Sequence, residues 1–262
     1  MSLDAATDEE LGAWFDGVLE NARSQFPGEA VTVSYGATPE QVIDLWGDTA
    51  APLLVISIHG GYFAAAYDRT VNEPLSRRLV QEGCLVANIE YRRAGSCNDP
   101  QNTIADVRTA IRWILDHSGT GQMAILIGHS AGGYLALKAS VEPGLRAVLP
   151  ISPVTQLTRS ARLGVDDGAI ADWVGASPDE DAEAWELLEL TRDALPDIPI
   201  FLIHGSLDTV VPFADSFDFA NGGNAQNRTL GIIEIQNCGH YEFLDPHSAA
   251  TDTLVEQITR LR

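Results

Sequence analysis

Met123-Ala124-Ile125-Leu126-Ile127-Gly128-His129-Ser130-Ala131-Gly132 decides the fold. Five apolar residues form a short buried strand. The pentapeptide Gly128-His129-Ser130-Ala131-Gly132 then has the G-x-S-x-G pattern, and Tyr134 to Ala139 follows with helical spacing. A serine at such a strand-to-helix turn sits on a tight bend that exposes its Oγ, with small residues on either side to let neighbouring segments approach. The pentapeptide alone is a weak signal, since a turn that needs small residues gives the same pattern. Its strand and helix flanks favour a nucleophile.

The same alternation runs outward from this point. Upstream, Leu53 to Ile58 is a buried strand, Asp68 to Gln81 a helix, Leu85 to Ile89 a strand and Asn102 to Asp116 a helix. Downstream come the helix from Ala131, the strand Ala147 to Ile151, the strand Ile200 to Ile203, a helix Phe213 to Ala220, the strand Leu230 to Ile235 and a last helix from Ala249. Such alternation predicts a mostly parallel central sheet with helices on both faces. Val31 to Ser34 and Gln41 to Trp46 read as antiparallel edge strands. Thr7, followed by Asp8, Glu9 and Glu10, opens an amphipathic helix carrying Leu11, Phe15, Val18 and Leu19. The interval 152–199 breaks the rhythm with two candidate helices, Ala169 to Val174 and Asp179 to Leu190. It is expected to be a small helical cap over the site, against the alternative of a packed surface insertion. The whole chain, 1–262, reads as one α/β domain.

Composition narrows the partners. A net charge of -21, with Lys138 the only lysine, disfavours nucleic acid and anionic membranes. No apolar run approaches the length of a membrane span, and Met1 to Asp4 begins no secretory signal, so a cytoplasmic location is expected. Cys84, Cys97 and Cys238 have neither disulfide nor zinc spacing. His240, Glu242, Asp245 and His247 match no standard metal site, so neither metal nor cofactor is expected.

Three loops after strands complete a chemical set. His59-Gly60-Gly61-Tyr62 follows the strand at 53–58. The backbone N–H groups of Gly60, Gly61 and Tyr62, with that of Ala131, are candidate oxyanion donors. Asp208 stands on the loop after 200–203, and His240 on the loop after 230–235. In a parallel sheet these loops share one edge, where ligands bind in open α/β sheets. The chain order Ser130, Asp208, His240 is that of a nucleophile–acid–base triad. Asp215 and Asp245 are the fallback acids, and Asp106 is expected to open a helix, where a carboxylate suits the dipole. His129 is expected to pack under the serine turn.

On these motifs the chain, from about residue 30 to its end, resembles the α/β-hydrolase superfamily. The HGG loop and Gly128-His129-Ser130-Ala131-Gly132-Gly133 are similar to those of small esterase/lipase-like enzymes and kynurenine formamidases. Phe63 stands where the formamidases carry Trp, and Tyr62 where hormone-sensitive-lipase-type esterases carry a third glycine. Glu90-Tyr91-Arg92 resembles the Tyr-Arg segment of both groups. The resemblance implies a serine hydrolase acting on a small-molecule ester, with an arylformamidase as the alternative within that class and a non-catalytic small-molecule binder as the alternative outside it. Tyr62, Phe63 and Trp173 are the candidate substrate wall. Oligomeric state is not legible.

Overall fold

Strands buried on both faces are predominantly apolar, and three here are, with Ser57 and Asn88 as buried exceptions that are hydrogen-bonded to Asn72 and to the Arg69 carbonyl. β3 (Leu53–Ile58) and β4 (Cys84–Ile89) are buried at every position, and β5 (Met123–His129) at all but its first. The computed structural model describes residues 3–96, 99–119, 123–164, 166–222 and 229–261, and Cys97 lies outside them. With β1 (Val31–Ser34), β2 (Val42–Trp46), β6 (Leu145–Ile151), β7 (Ile200–Gly205) and β8 (Leu230–Ile235), these strands form one sheet in the order β1-β2-β4-β3-β5-β6-β7-β8. Among the described residues only the β1–β2 and β2–β4 pairings are antiparallel.

The order explains where a site can form. From β3 the chain crosses to β4 on one side and returns to β5 on the other. The loops leaving β3 and β5 therefore diverge, and a crevice opens between them at the C-terminal edge.

Alternation divides each strand between two cores. Leu54, Ile56 and Ile58 face α3 (Pro100–His117) and α4 (Ala131–Ala139). Leu53 and Val55 share the other core with Leu75 and Leu79 of α2 (Glu73–Gln81) and Leu254 and Ile258 of α9 (Ala249–Arg260). α1 (Asp8–Gln25) starts at the expected place: Thr7 and Glu10 form a reciprocal capping box. Its far end is tied down by Arg23, which grips Glu73 of α2 through two 2.8 Å bonds.

The 152–199 interval holds α5 (Leu157–Leu163), α6 (Ala169–Val174) and α7 (Ala182–Leu188). α5 was not legible, because only Leu157 and Ser160 of its seven residues are buried and no apolar stripe marks it. α7 is shorter than expected, since Asp181 caps it by accepting from the Ala184 N–H. α8 (Phe213–Asn221) and α9 follow β7 and β8 as expected. Among the described residues no helix is long and apolar enough to cross a membrane.

Candidate active site

β5 delivers Ser130 at φ 56°, ψ −118°, a conformation costing about 1–3 kcal/mol in a non-glycine residue. Neighbours hold it there. Its N–H donates to Ile151 of β6 at 2.8 Å, and its carbonyl accepts from Gly133 at 2.9 Å and Tyr134 at 3.1 Å at the start of α4. The bend brings Gly128 against Gly132, where a Cβ on either would strike backbone. Ala131 is the first residue of α4, so its N–H has no partner within the helix.

The β3 loop is bent in the same costly way. Gly61, Tyr62 and Phe63 run consecutively at positive φ, of 106°, 54° and 59°. A buried carboxylate braces this loop. Glu90 accepts from the N–H of Arg69 at 2.9 Å and of Tyr91 at 3.0 Å, faces His59 Nε2 at 3.1 Å and pairs with Arg93. His59 Nδ1–H donates to the Gly60 carbonyl at 2.7 Å, and Tyr91 stacks on His59 and donates to its carbonyl at 2.8 Å. Burial pushes Glu90 up, but its bonds and charge contact with His59, and the Arg93 charge, hold it below the usual carboxylate range. The sequence marked Glu90-Tyr91-Arg92 only as a similarity; its part here is to fix the loop's shape.

Asp208 and His240 meet across two loops. Asp208 Oδ2 accepts from His240 Nδ1–H at 2.7 Å. Asp208 Oδ1 takes the N–H groups of Val210 at 3.0 Å and Val211 at 2.8 Å. His204 Nε2 faces both the Val211 carbonyl at 2.9 Å and Asp208 Oδ2 at 3.2 Å, so that nitrogen carries the proton. Burial opposes the charge on Asp208, but the His240 charge and the bonds from His204 and His240 hold it far below the usual range. His240 is pushed down by burial and raised more strongly by Asp208, then Asp4 and Glu242; the net direction is up. With Nδ1–H committed to Asp208, Nε2 is the basic nitrogen of the ring. The fallback acids are occupied elsewhere: Asp215 is buried in α8 and paired with Arg159, and Asp245 accepts from the His247 N–H in its own turn.

Ser130 and His240 open onto one cavity of about 170 Å³. Gly61, Tyr62, Tyr67 and Val71 line it from the β3 side and Tyr241 and Leu244 from the His240 side, and Leu11, Trp14 and Phe15 of α1 close it. This corrects two expectations. Phe63 and Trp173 do not line the cavity. Both are fully buried, stacked at 3.9 Å between ring centroids, because Trp173 is fixed by its Nε1–H bond to Thr103 at 2.9 Å. No described residue of the 152–199 interval lines this cavity either. It packs on α3 and α4, with Tyr134 donating to Leu188 at 2.6 Å and Lys138 to Glu189 at 2.8 Å. α1 supplies the cover instead, and Tyr62 is the predicted wall residue that lines the cavity. Asp106 lies inside α3 rather than at its start, where it grips Arg92 through two 2.7 Å bonds.

His129 sits under the serine turn as expected, its Nε2–H donating to the His240 carbonyl at 2.9 Å. Burial, then the His240 charge, pushes its pKa down to about 3. Between its ordinary value of about 6.5 and that point the unfolded chain binds the proton and the folded chain does not. Stability is therefore expected to fall as pH is lowered across this window, by up to about 1.4 kcal/mol per pH unit from this residue. His240, with its raised pKa, acts oppositely: its contribution is present below its unfolded value and lost as pH rises through the folded one. His129→Gln should remove about one proton from the acid slope in urea unfolding between pH 4 and 6; an unchanged slope would show that His129 is not the group responsible.

Cys238 donates to the Gly239 carbonyl at 3.3 Å and packs in the second core, where burial with nearby carboxylates pushes its thiol up to about 12. Cys84 is core. Among the described residues no group of His, Cys, Asp and Glu is arranged to hold a metal ion.

Comparison with known proteins gives consistent results. The BD-FAE family model matches residues 47–177, half of the chain. Esterase LipC of Mycobacterium tuberculosis is 29% identical over 88% of the chain and 65% of its own length. Esterase LipQ of the same organism is 26% identical over 82% and 58%. The chain thus spans less than two thirds of these curated relatives. Esterase B from Lactobacillus rhamnosis superposes with a TM-score of 0.74 at 19% identity, covering 97% of this chain and 92% of that one.

Proposed function

The chain belongs to the BD-FAE family and has the α/β-hydrolase fold, and from that premise we propose that it is a serine hydrolase cleaving a small carboxylic ester. The observation that carries this reading is the 2.7 Å Asp208–His240 bond, set beside a strained serine that shares one cavity with the histidine. His240 Nε2 takes the Ser130 proton as Oγ attacks the ester carbonyl. The Ala131 and Gly61 N–H groups, with those of Gly60 and Tyr62 as further donors, hold the developing oxyanion. Asp208 keeps the imidazole in the productive tautomer and balances its positive charge. His240 returns the proton to the departing alkoxide. It then activates the water that releases the acid and frees Ser130.

The cavity limits the substrate. Its volume of about 170 Å³ is close to the engineered ~150 Å³ cavity that takes up benzene. Leu11, Trp14, Phe15, Val71 and Leu244 make it apolar. A short acyl group or a single small ring fits, and a long chain does not. Kinetics on p-nitrophenyl acetate, butyrate, octanoate and dodecanoate, with N-formylkynurenine in parallel, test this. Efficiency should peak at the short esters. Rates climbing steadily to dodecanoate would reject the short-acyl assignment, and a much higher efficiency on N-formylkynurenine would make the protein a formamidase.

Trp14→Ala opens the wall. It should move the preferred acyl length upward and lower kcat/KM on butyrate by roughly tenfold, within the 1–3 kcal/mol that small apolar pocket contacts supply. An unchanged chain-length profile would remove α1 from the substrate pocket.

A further inference from the structure

The turn before α1 reaches the triad itself. Asp4, in the 3₁₀ turn Leu3–Ala5, accepts through Oδ1 from the backbone N–H of His240 at 2.8 Å and through Oδ2 from that of Thr209 at 2.9 Å. Thr209 directly follows Asp208. One carboxylate thus bridges the two loops whose side chains must meet at 2.7 Å. The approach is close: a Cβ on Gly239 would lie 2.6 Å from Asp4 Oδ1.

We propose that Asp4 is a positioning residue of the triad, clamping the acid and base loops together through their backbones while anchoring α1 over the cavity. This rests on the hydrolase reading of Ser130, Asp208 and His240. The two loops are also joined by the Leu207 N–H to Cys238 carbonyl bond at 2.9 Å and the Asn237 N–H to Ser206 Oγ bond at 3.0 Å. Those links lie one to three residues from the catalytic side chains. The Asp4 bonds fall on His240 itself and on the neighbour of Asp208, so they set the alignment rather than the general approach of the loops.

The clamp also has an electrostatic consequence. His240 is faced by Asp208 from the acid loop, by Asp4 from the N-terminal turn, and by Glu242 from the 3₁₀ turn that follows it. His129 from the end of β5 packs at 4.6 Å between ring centroids, Tyr241 lies edge-on, and His204 touches Asp208 from behind. Asp4 therefore favours the imidazolium that forms when Ser130 gives up its proton.

Asp4→Asn separates a positioning role from a structural one. Asparagine has one acceptor oxygen, so its amide nitrogen meets one of the two N–H groups donor to donor. On p-nitrophenyl acetate kcat should fall about 10-fold with KM little changed, below the roughly hundredfold that a 1 Å misplacement costs. The acid limb of kcat/KM should move to lower pH, because removing a nearby negative charge lowers the His240 pKa. An NMR titration of the histidine rings, with His240 assigned by its loss in His240→Gln, should show the same downward movement. Asp4→Glu, which keeps the charge, should restore the wild-type midpoint. An unchanged kcat, or a loss uniform across pH with the His240 midpoint unmoved in Asp4→Asn, would overturn the proposal. If Ser130→Ala kept its turnover, the hydrolase reading would fail instead, and the titration would still report whether Asp4 acts on His240.

Discussion

Ser130→Ala should lower kcat by roughly 10⁶-fold, the scale on which removing the nucleophile collapses a serine-hydrolase triad. The size follows from the site's construction. In the proposed mechanism His240 and Asp208 act first on the proton that Ser130 gives up, so without the hydroxyl no acyl-enzyme can form. The proposed oxyanion donors and the cavity would remain, so the variant should keep some residual rate over water and bind substrate with a similar KM. The substitution should also be tolerated structurally. Ser130 is held at positive φ by backbone bonds to Ile151, Gly133 and Tyr134, none of which uses Oγ. Thermal unfolding should therefore be close to wild type, and pre-steady-state assays with excess p-nitrophenyl acetate should show no burst. A variant with wild-type turnover would place the nucleophile elsewhere.

Asp208→Asn should cost approaching 10⁴-fold in kcat. The asparagine keeps the size of the acid and can keep the Val210 and Val211 N–H bonds through its oxygen. Its amide nitrogen would then face His240 Nδ1, which must accept instead of donate. That puts the proton on Nε2, the wrong nitrogen for taking one from Ser130, the effect known from the serine-protease triad. Asp215→Asn and Asp245→Asn serve as controls. Asp215 is paired with Arg159, so its loss should lower stability more than catalysis, and Asp245→Asn should cost little in either. If Asp208→Asn kept near-normal kcat while a control lost it, the acid would be misassigned.

The parts of this architecture written in local pattern were legible from sequence. The strands that lead to His59, His129, His204 and the loop to His240 show as largely apolar runs stopped by turn residues, and parallel strands place those loops on one edge. What escaped were relations across the chain. An amphipathic stripe in α1 says that the helix covers something apolar, not that it covers the serine. The pairing of Asp4 with His240 joins positions 236 residues apart, and no periodicity carries such information. Phe63 and Trp173 are aromatic and near the right loops, which made them candidate wall residues. Their stacking, and the Thr103 bond that fixes Trp173, turn them into the core. The 152–199 interval was expected over the site from its place in the order of strands, but Leu188 and Glu189 find hydrogen-bond donors on α4 and hold it to that side.

In the proposed mechanism one serine, on the turn after β5, is activated for covalent chemistry by the His240–Asp208 pair. Intact-mass spectrometry after incubation with a fluorophosphonate, followed by peptide mapping, tests it most directly. One adduct per chain is expected, on Ser130, absent from Ser130→Ala and formed far more slowly in Asp208→Asn. An adduct on another residue, or equal labelling of wild type and Ser130→Ala, would contradict it.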